Sequence, residues 1–413
     1  MHARTWLSVL SLPLVAAFTV PVLQQGNPPK PQPQAGAKIA PQDPLAGLSD
    51  IQDVLSLVQQ NYVDPPDMEK VVSGGVQAVL ERSHPLNAYL TAEDLRLPDP
   101  GPAEAGLVVV KRGIYATVLA VVPGGPAAKA GIQAGDVIRK VDGDSVGRIS
   151  AWALERKLRG PENSSLDLYR YNATGDLTKT TVERQVISPG PLTIKQGQGA
   201  LLVSLPDLAP GRAEELRKAL AAADHGQTLV LDLRQCLKGS MPEAAAVAGL
   251  LGSKGDFATL EEAGKADRVL PVTGMGTAFT RLALLVGRST LGASEVLASC
   301  LKKNGAKTFG ERTPGFGVER ARFALKQGGA VELVSKRWVG LGGEKLDRQG
   351  VVPDQVLRMT DADDPLVRVL AALAAPAPAD KSTVRPADRI LTPDRILIPD
   401  EGVPPHPPKR PNP

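Results

Sequence analysis

Ser289, Thr290 and Ser294 crowd one turn between an apolar run at 282–286 and a helical pattern that starts near residue 294. A hydroxyl on such a turn attacks a carbonyl only if a neighbouring base takes its proton. The lysines at hand are Lys302, Lys303 and Lys307, with Lys238 on an earlier strand-to-helix turn. A lysine in that role must be neutral, so burial has to lower its pKa. Cys236 is a further type of nucleophile, but no histidine accompanies it: His2, His84, His225 and His406 are scattered. That scatter shows no metal-ligand spacing, and Cys236 and Cys300 are too few for a zinc ribbon or a disulfide scaffold. The chain has no GxxxxGK[ST] loop, no HExxH and no GxSxG elbow, and Gly340-Leu341-Gly342-Gly343 follows no dinucleotide-type βαβ start. No metal and no cofactor are expected.

The elements that must position these residues can be read from periodicity. From residue 191 the pattern alternates strands (200–205, 228–233, 282–286) with helices (212–222, 242–251, 294–303), and a last helix covers 365–373. Such alternation predicts βαβ units with helices on the faces of a parallel sheet. Sites in open sheets of this kind gather at strand carboxyl ends, here the turns 234–241 and 287–293. Upstream, 107–110, 115–122, 136–141, 167–171 and 178–186 are short β-rich runs, broken by Pro123-Gly124-Gly125-Pro126 and Asp142-Gly143. One helix at 151–157 follows Ser150, which predicts a compact β domain with a helix on its side. Before it, Ile51, Val54, Leu55 and Val58 recur at helical spacing with Ser49 as N-cap, and a second helix runs from about 67.

The chain has 413 residues, of which 42% are hydrophobic and 22% charged, enough for two to three domains with proper cores. Its 48 basic and 44 acidic side chains leave a net charge of +4, without the basic stripe or interleaved aromatics that nucleic-acid binding needs. Of 37 prolines, 17 fall in residues 24–46 and 376–413, stretches too poor in apolar surface to fold. The second of these repeats Asp-Arg-Ile-Leu at 388–391 and 394–397, with no catalytic reading. At the start, an uncharged apolar run from Trp6 to Leu23 follows Arg4, which reads as a signal peptide or a membrane anchor.

Several unrelated motifs then occur in one order. They are Asn61-Tyr62-Val63-Asp64, His84-Pro85-Leu86-Asn87-Ala88-Tyr89-Leu90-Thr91, and Gly125-Pro126-Ala127-Ala128-Lys129-Ala130-Gly131 leading to Gly135-Asp136-Val137-Ile138 and Val141-Asp142-Gly143. Val230-Leu231-Asp232-Leu233-Arg234, Ala293-Ser294-Glu295 and Gln349-Gly350-Val351-Val352-Pro353-Asp354 follow. Over roughly 48–375 the chain resembles the carboxy-terminal processing peptidases, exported serine peptidases with an inserted PDZ domain. The resemblance implies an α/β (α+β, multi-domain) fold: a small helical N-terminal subdomain, an inserted PDZ β domain and a ClpP/crotonase-like α/β peptidase-type core. The expected division is 1–23 leader or anchor, 24–46 linker, 47–100 helical subdomain, 101–188 PDZ domain, 189–375 peptidase-like domain and 376–413 disordered tail.

The family uses a serine nucleophile, a lysine base and backbone N–H donors for the oxyanion. Carried onto this chain, the nucleophile position is Gly292, three residues before Glu295, and glycine has no group to attack with. The base position is Phe316, which cannot accept a proton. The oxyanion segment after Arg234 reads Cys236-Leu237-Lys238-Gly239, so of the family's paired glycines only Gly239 survives. Fallback nucleophiles are Ser294, also readable as a helix N-cap, and Ser289. Cys236 and Cys300 flank this centre, either as a disulfide or as two buried thiols.

A PDZ domain adds a peptide C-terminus as an extra strand and captures its carboxylate with backbone N–H groups. By resemblance Gly106, Leu107 and Val108 form that carboxylate loop, and Ala151, Leu154 and Leu158 face the groove from the helix; the same apolar residues would serve equally as domain core. The expected function is that of an exported family member without proteolysis, binding peptide or protein C-termini as a scaffold or as a regulator of an active envelope peptidase. The competing expectations are an active serine endopeptidase with a relocated Ser–Lys dyad, and a purely structural envelope protein. The expected location is the periplasm or cell envelope, with membrane association through the N-terminal segment.

Overall fold

The computed structural model describes residues 47–375 apart from 173, 189, 277, 360 and 361. The expected leader, linker and Pro-rich tail lie outside the described residues. The chain divides into two compact units after Pro66. The first contributes helix α1 (Leu48–Asn61), whose N-cap is Gly47. Ser49 therefore sits inside the first turn and not at the cap. Pro65-Pro66 cannot extend a helix, since neither proline offers an N–H. The two helices expected together in one subdomain fall on either side of that break.

The second unit opens with α2 (Met68–Ser83), capped by the Asp67 carboxylate on the Lys70 N–H at 3.2 Å, and β1 (Ala88–Leu90). The PDZ domain follows as β2 (Ala103–Glu104), β3 (Leu107–Arg112), β4 (Tyr115–Val121), α3 (Pro126–Lys129), β5 (Val137–Val141), β6 (Asp144–Ser145), α4 (Ala151–Lys157), β7 (Arg159–Gly160), β8 (Ser165–Tyr171) and β9 (Leu177–Glu183). Its main sheet runs in the order β3-β4-β5-β8-β9, so β3 is an edge strand. Helix α4 starts behind Ser150, whose hydroxyl accepts from the Ala153 N–H at 3.1 Å. A buried pair, Asp136 with Arg170 at 2.6 Å, locks the Gly131–Asp136 turn, with Arg170 also donating to the Gly131 carbonyl.

The core continues as β10 (Thr193–Gly197), β11 (Ala200–Ser204), α5 (Arg212–Ala219), β12 (Thr228–Asp232), α6 (Met241–Leu250), β13 (Asp256–Glu262), β14 (Arg268–Pro271), β15 (Arg281–Val286), α7 (Ala293–Lys303), β16 (Lys307–Gly310), β17 (Val318–Ala324), β18 (Ala330–Val339), β19 (Gln355–Val356) and α8 (Pro365–Ala374). Its six-stranded sheet has the order β10-β11-β12-β15-β16-β19, parallel except for β10. Strand alternation sends Leu229, Leu231, Leu284 and Val286 to the layer of α5, α6 and α7. Val230, Ala283 and Leu285 point the other way, onto Leu366 and Val369 of α8. Burying each such leucine contributes roughly 2 kcal/mol before entropy is counted. Register aligns Ser204, Asp232 and Leu285 at the carboxyl edge, so the turns after β12 and β15 open side by side.

A second sheet, β1-β18-β13-β14 with β17 paired to β18, was not foreseen. Its strands mix charged with apolar residues and are laced by cross-strand ion pairs: Arg322–Glu332 at 2.6 Å, Lys336–Glu319 at 3.2 Å and Arg337–Glu261 at 2.5 Å. This sheet carries residue 316 to the site, because the Trp338 N–H of β18 holds the Gly317 carbonyl at 2.7 Å.

Candidate functional site

The turn after β15 is held from inside. Thr290 is fully buried; its hydroxyl donates to the Leu233 carbonyl at 2.8 Å and accepts from the Gly287 N–H at 3.0 Å. Gly292 then caps α7 with φ 60° and ψ −113°, a backbone that side-chain-bearing residues rarely adopt. A Cβ built there would meet only the Phe316 carbonyl oxygen, at 3.7 Å. The nucleophile and base positions inferred from sequence are therefore neighbours in space, but they hold a glycine and a half-buried phenylalanine.

Glu295 keeps them together. Its carboxylate is fully buried and accepts from Gly292 N at 3.0 Å, Phe316 N at 2.6 Å, Gly315 N at 2.6 Å and the Thr313 hydroxyl at 2.5 Å. Thr313 in turn accepts from the Val351 N–H at 2.7 Å, which ties the 349–354 segment to the same carboxylate. Burial pushes the Glu295 carboxyl up to about 7, against the pull of its four donors.

Neither fallback serine has the setting of a nucleophile. Ser294 is 1% exposed and its hydroxyl is spent on the carbonyls of Cys236 (2.8 Å) and Leu291 (3.0 Å). It lies within α7, whose N-cap is Gly292, so the reading of Ser294 as the cap is also corrected. The reason is that Glu295 reaches back to the Gly292 N–H and does the capping work. The Ser289 hydroxyl has no hydrogen-bond partner among the described residues, and so no base within reach. Lys302 sits at the far end of α7, about 13 Å along the axis from Ala293. There it binds the Val352 carbonyl at 2.6 Å and Asp354 at 3.0 Å.

The oxyanion segment lies beside this turn, since the Cys236 carbonyl accepts from the Leu291 N–H at 3.2 Å. Lys238 points away into solvent, 61% exposed, and pairs with Glu104 of the PDZ domain at 2.5 Å. Gly239 has a packing reason of its own: a Cβ there would fall 2.3 Å from the Leu208 Cβ. Cys236 and Cys300 are free thiols, both buried, so the disulfide reading falls. Their surroundings differ: Cys236 lies by Ser294, whereas Cys300 receives the Asn304 amide at 3.6 Å. Burial raises the first thiol to about 12 and the second to about 11, which disfavours the thiolate form at both.

In the PDZ domain, Gly106 precedes the edge strand at φ +75°, and a Cβ there would come within 3.0 Å of the Ile187 Cδ1. Its carbonyl accepts from the Val122 N–H at 2.9 Å, while Leu107 and Val108, expected in the carboxylate loop, instead open β3 and pair with Val121 and Ala120. Of the two readings open for the helix side of the groove, burial favours the core. Leu154 and Leu158 are 1% and 6% exposed inside the domain's own core, and Ala151 packs on Ala88, Leu90 and Ala330 of β1 and the β18 end. Periodicity marks α4's apolar face but not what covers it. His84 belongs to the α2 cap: Nδ1 accepts from the Leu86 N–H and Nε2 donates to Asp347, each at 3.1 Å.

Sequence reasoning missed Asp207, which lies with the carboxyl ends of β11 and β12 in a cleft against the PDZ turn 122–126. The available signal was an acidic residue placed three positions past a strand of four apolar residues and a serine.

Comparison with known proteins places these parts. Residues 200–357 match peptidase family S41, and residues 117–168 match a PDZ domain. A "Probable CtpA-like serine protease" of Staphylococcus aureus (strain MSSA476) is 25% identical over 320 residues, covering 75% of this chain and 64% of that protein. The "C-terminal processing peptidase, chloroplastic" of Tetradesmus obliquus is 32% identical over 287 residues, covering 63% and 61%. The chain thus spans somewhat under two thirds of the length of these curated relatives. Among solved structures, the photosystem II D1 C-terminal processing protease superposes with a TM-score of 0.61 at 25% identity, over 79% of this chain and 97% of that one. A PDZ match ahead of an S41 match, with a relative and a solved structure both named for C-terminal processing, identifies this chain as a member of the PDZ-containing carboxy-terminal processing peptidases of family S41.

Proposed function

We propose that this chain is a member of its family that does not cleave peptides and instead holds peptide or protein C-termini through its PDZ domain. The observation that carries the reading is the pair Gly292 and Phe316: the two positions meet, yet neither side chain can attack or take a proton. Ser294 and Thr290 do not replace them, because both hydroxyls are sealed in structural hydrogen bonds. Peptide capture draws support from the unpaired edge of β3 and the positive-φ Gly106 ahead of it. The apolar run behind Arg4 supports action after export, in the cell envelope, where such a chain serves as a scaffold or steers substrates of an active peptidase.

The test incubates the full chain with an unfolded protein such as casein and reads new termini by mass spectrometry. None is expected over a long incubation. New termini that vanish in Ser289→Ala would overturn the reading and leave a working peptidase. Fluorescence polarisation with a free-carboxylate peptide and its amide tests the binding half, and equal affinities for the two would sink it.

A further inference from the structure

The cleft between the PDZ turn 122–126 and the carboxyl ends of β11 and β12 encloses about 630 Å³. Asp207 lines it and is only 2% exposed. Its Oδ1 accepts from the Ala209 N–H at 3.1 Å and from Arg212 Nε at 2.9 Å. Its Oδ2 is sealed from solvent without any hydrogen-bond partner among the described residues. A buried carboxylate oxygen with no donor is costly, and native sites rarely leave one unmatched.

The charges around it do not balance. Arg212 serves two carboxylates, those of Asp207 and Glu215. Arg234 is committed to Asp232 at 2.7 Å, and Lys238 to Glu104 at 2.5 Å. These three cations answer to four carboxylates, those of Asp207, Glu215, Asp232 and Glu104, and of the Asp207 carboxylate the Oδ2 atom is left without a donor among the described residues. Beside Asp207 the cleft is walled by Leu205, Pro206 and Leu237, a lining suited to an aliphatic stem.

The geometry points to a slot for the basic side chain of a polypeptide, its stem against Leu205 and Leu237 and its cationic head on Asp207 Oδ2. A guanidinium or ammonium group supplies the missing donor and the missing charge together. The cleft adjoins the carboxylate loop, since Val122, Pro126 and Ile187 line it and surround Gly106, but its ligand is a side-chain cation and not a terminal carboxylate, so this inference goes beyond PDZ capture.

The test uses the full chain and peptides blocked at both ends, which removes any free carboxylate for the PDZ domain. Acetyl-Ala-Ala-Arg-Ala-Ala-amide is compared by calorimetry with its citrulline counterpart, which keeps the shape and loses the charge. The arginine peptide should bind roughly tenfold tighter or more. Asp207→Asn should erase that preference. Leu237→Trp, which fills the slot and leaves the Asp207–Arg212 pair intact, should abolish binding. Equal affinities for the two peptides, no binding of either, or a preference that persists in Asp207→Asn would each overturn the proposal.

Discussion

The turn ahead of α7 and the loop ahead of β3 use the same device. Each places a glycine of positive φ, Gly292 at 60° and Gly106 at 75°, where the chain must bend sharply next to a packed neighbour. They differ in what the bend is for. A peptidase turn presents a side chain, so its chemistry is lost with one or two substitutions even when the backbone stays in place. A strand-adding loop presents backbone N–H groups, which every residue but proline carries, so its chemistry outlasts changes of side chain. In this chain both bends carry a positive-φ glycine, and the turn ahead of α7 presents no side chain at Gly292.

The largest blow to that comparison should come from Glu295→Ala. It strips the acceptor from three backbone N–H groups and the Thr313 hydroxyl, and should cost about 4 kcal/mol or prevent folding, as read by urea unfolding. Next is the pH dependence of the same group. With the folded carboxyl raised to about 7 from an ordinary 4.5, the native state binds more protons than the unfolded chain between those values. Stability from this residue is therefore full below pH 4.5 and lost as pH rises to 7, by about 3 kcal/mol. The difference in unfolding free energy between the wild type and Glu295→Gln, measured across pH 4–8, should follow that slope; a flat difference would break the assignment.

Smaller effects separate the two loops. Gly292→Ser should fit sterically and cost about 1–2 kcal/mol of backbone strain, with no cleavage gained while Phe316 remains. Gly106→Val should weaken peptide binding by about tenfold or more in polarisation assays, since a β-branched residue is strained at φ +75° and its Cβ would press on the Ile187 Cδ1 at 3.0 Å. Lys238→Ala should change stability by about 0.5 kcal/mol or less, because its pair with Glu104 is largely exposed. A larger loss would mean that this contact, and not the packing of Ala151, seats the PDZ domain on the core.

Much of the scaffold was legible. The helix behind Ser150, the helix starting near 67 and the alternating strands and helices of the core were readable because local propensity and burial pattern agree there. The sheet of β13, β14, β17 and β18 was not, since runs such as Val318–Ala324 carry charges on both faces and settle through pairing with distant strands. At the site, Gly292 and Phe316 could be singled out by counting from Glu295 and Gly310, and the fold sets the two close together. The role of Glu295 could not, because three of its four donors come from residues 313–316, beyond the end of its own helix. The same limit hid the packing of Ala151 and the cleft at Asp207, both of which exist only where separate segments meet.

The two sealed thiols have a consequence of another kind. Cys236 and Cys300 lie behind the Gly292 turn and inside α7, raised to about 12 and 11, so an alkylating reagent finds no thiolate on the folded chain. Each labelling event must then wait for the core to open, and its rate counts those openings. The chain carries its own clock for the departure of α7 from the sheet, with no probe added.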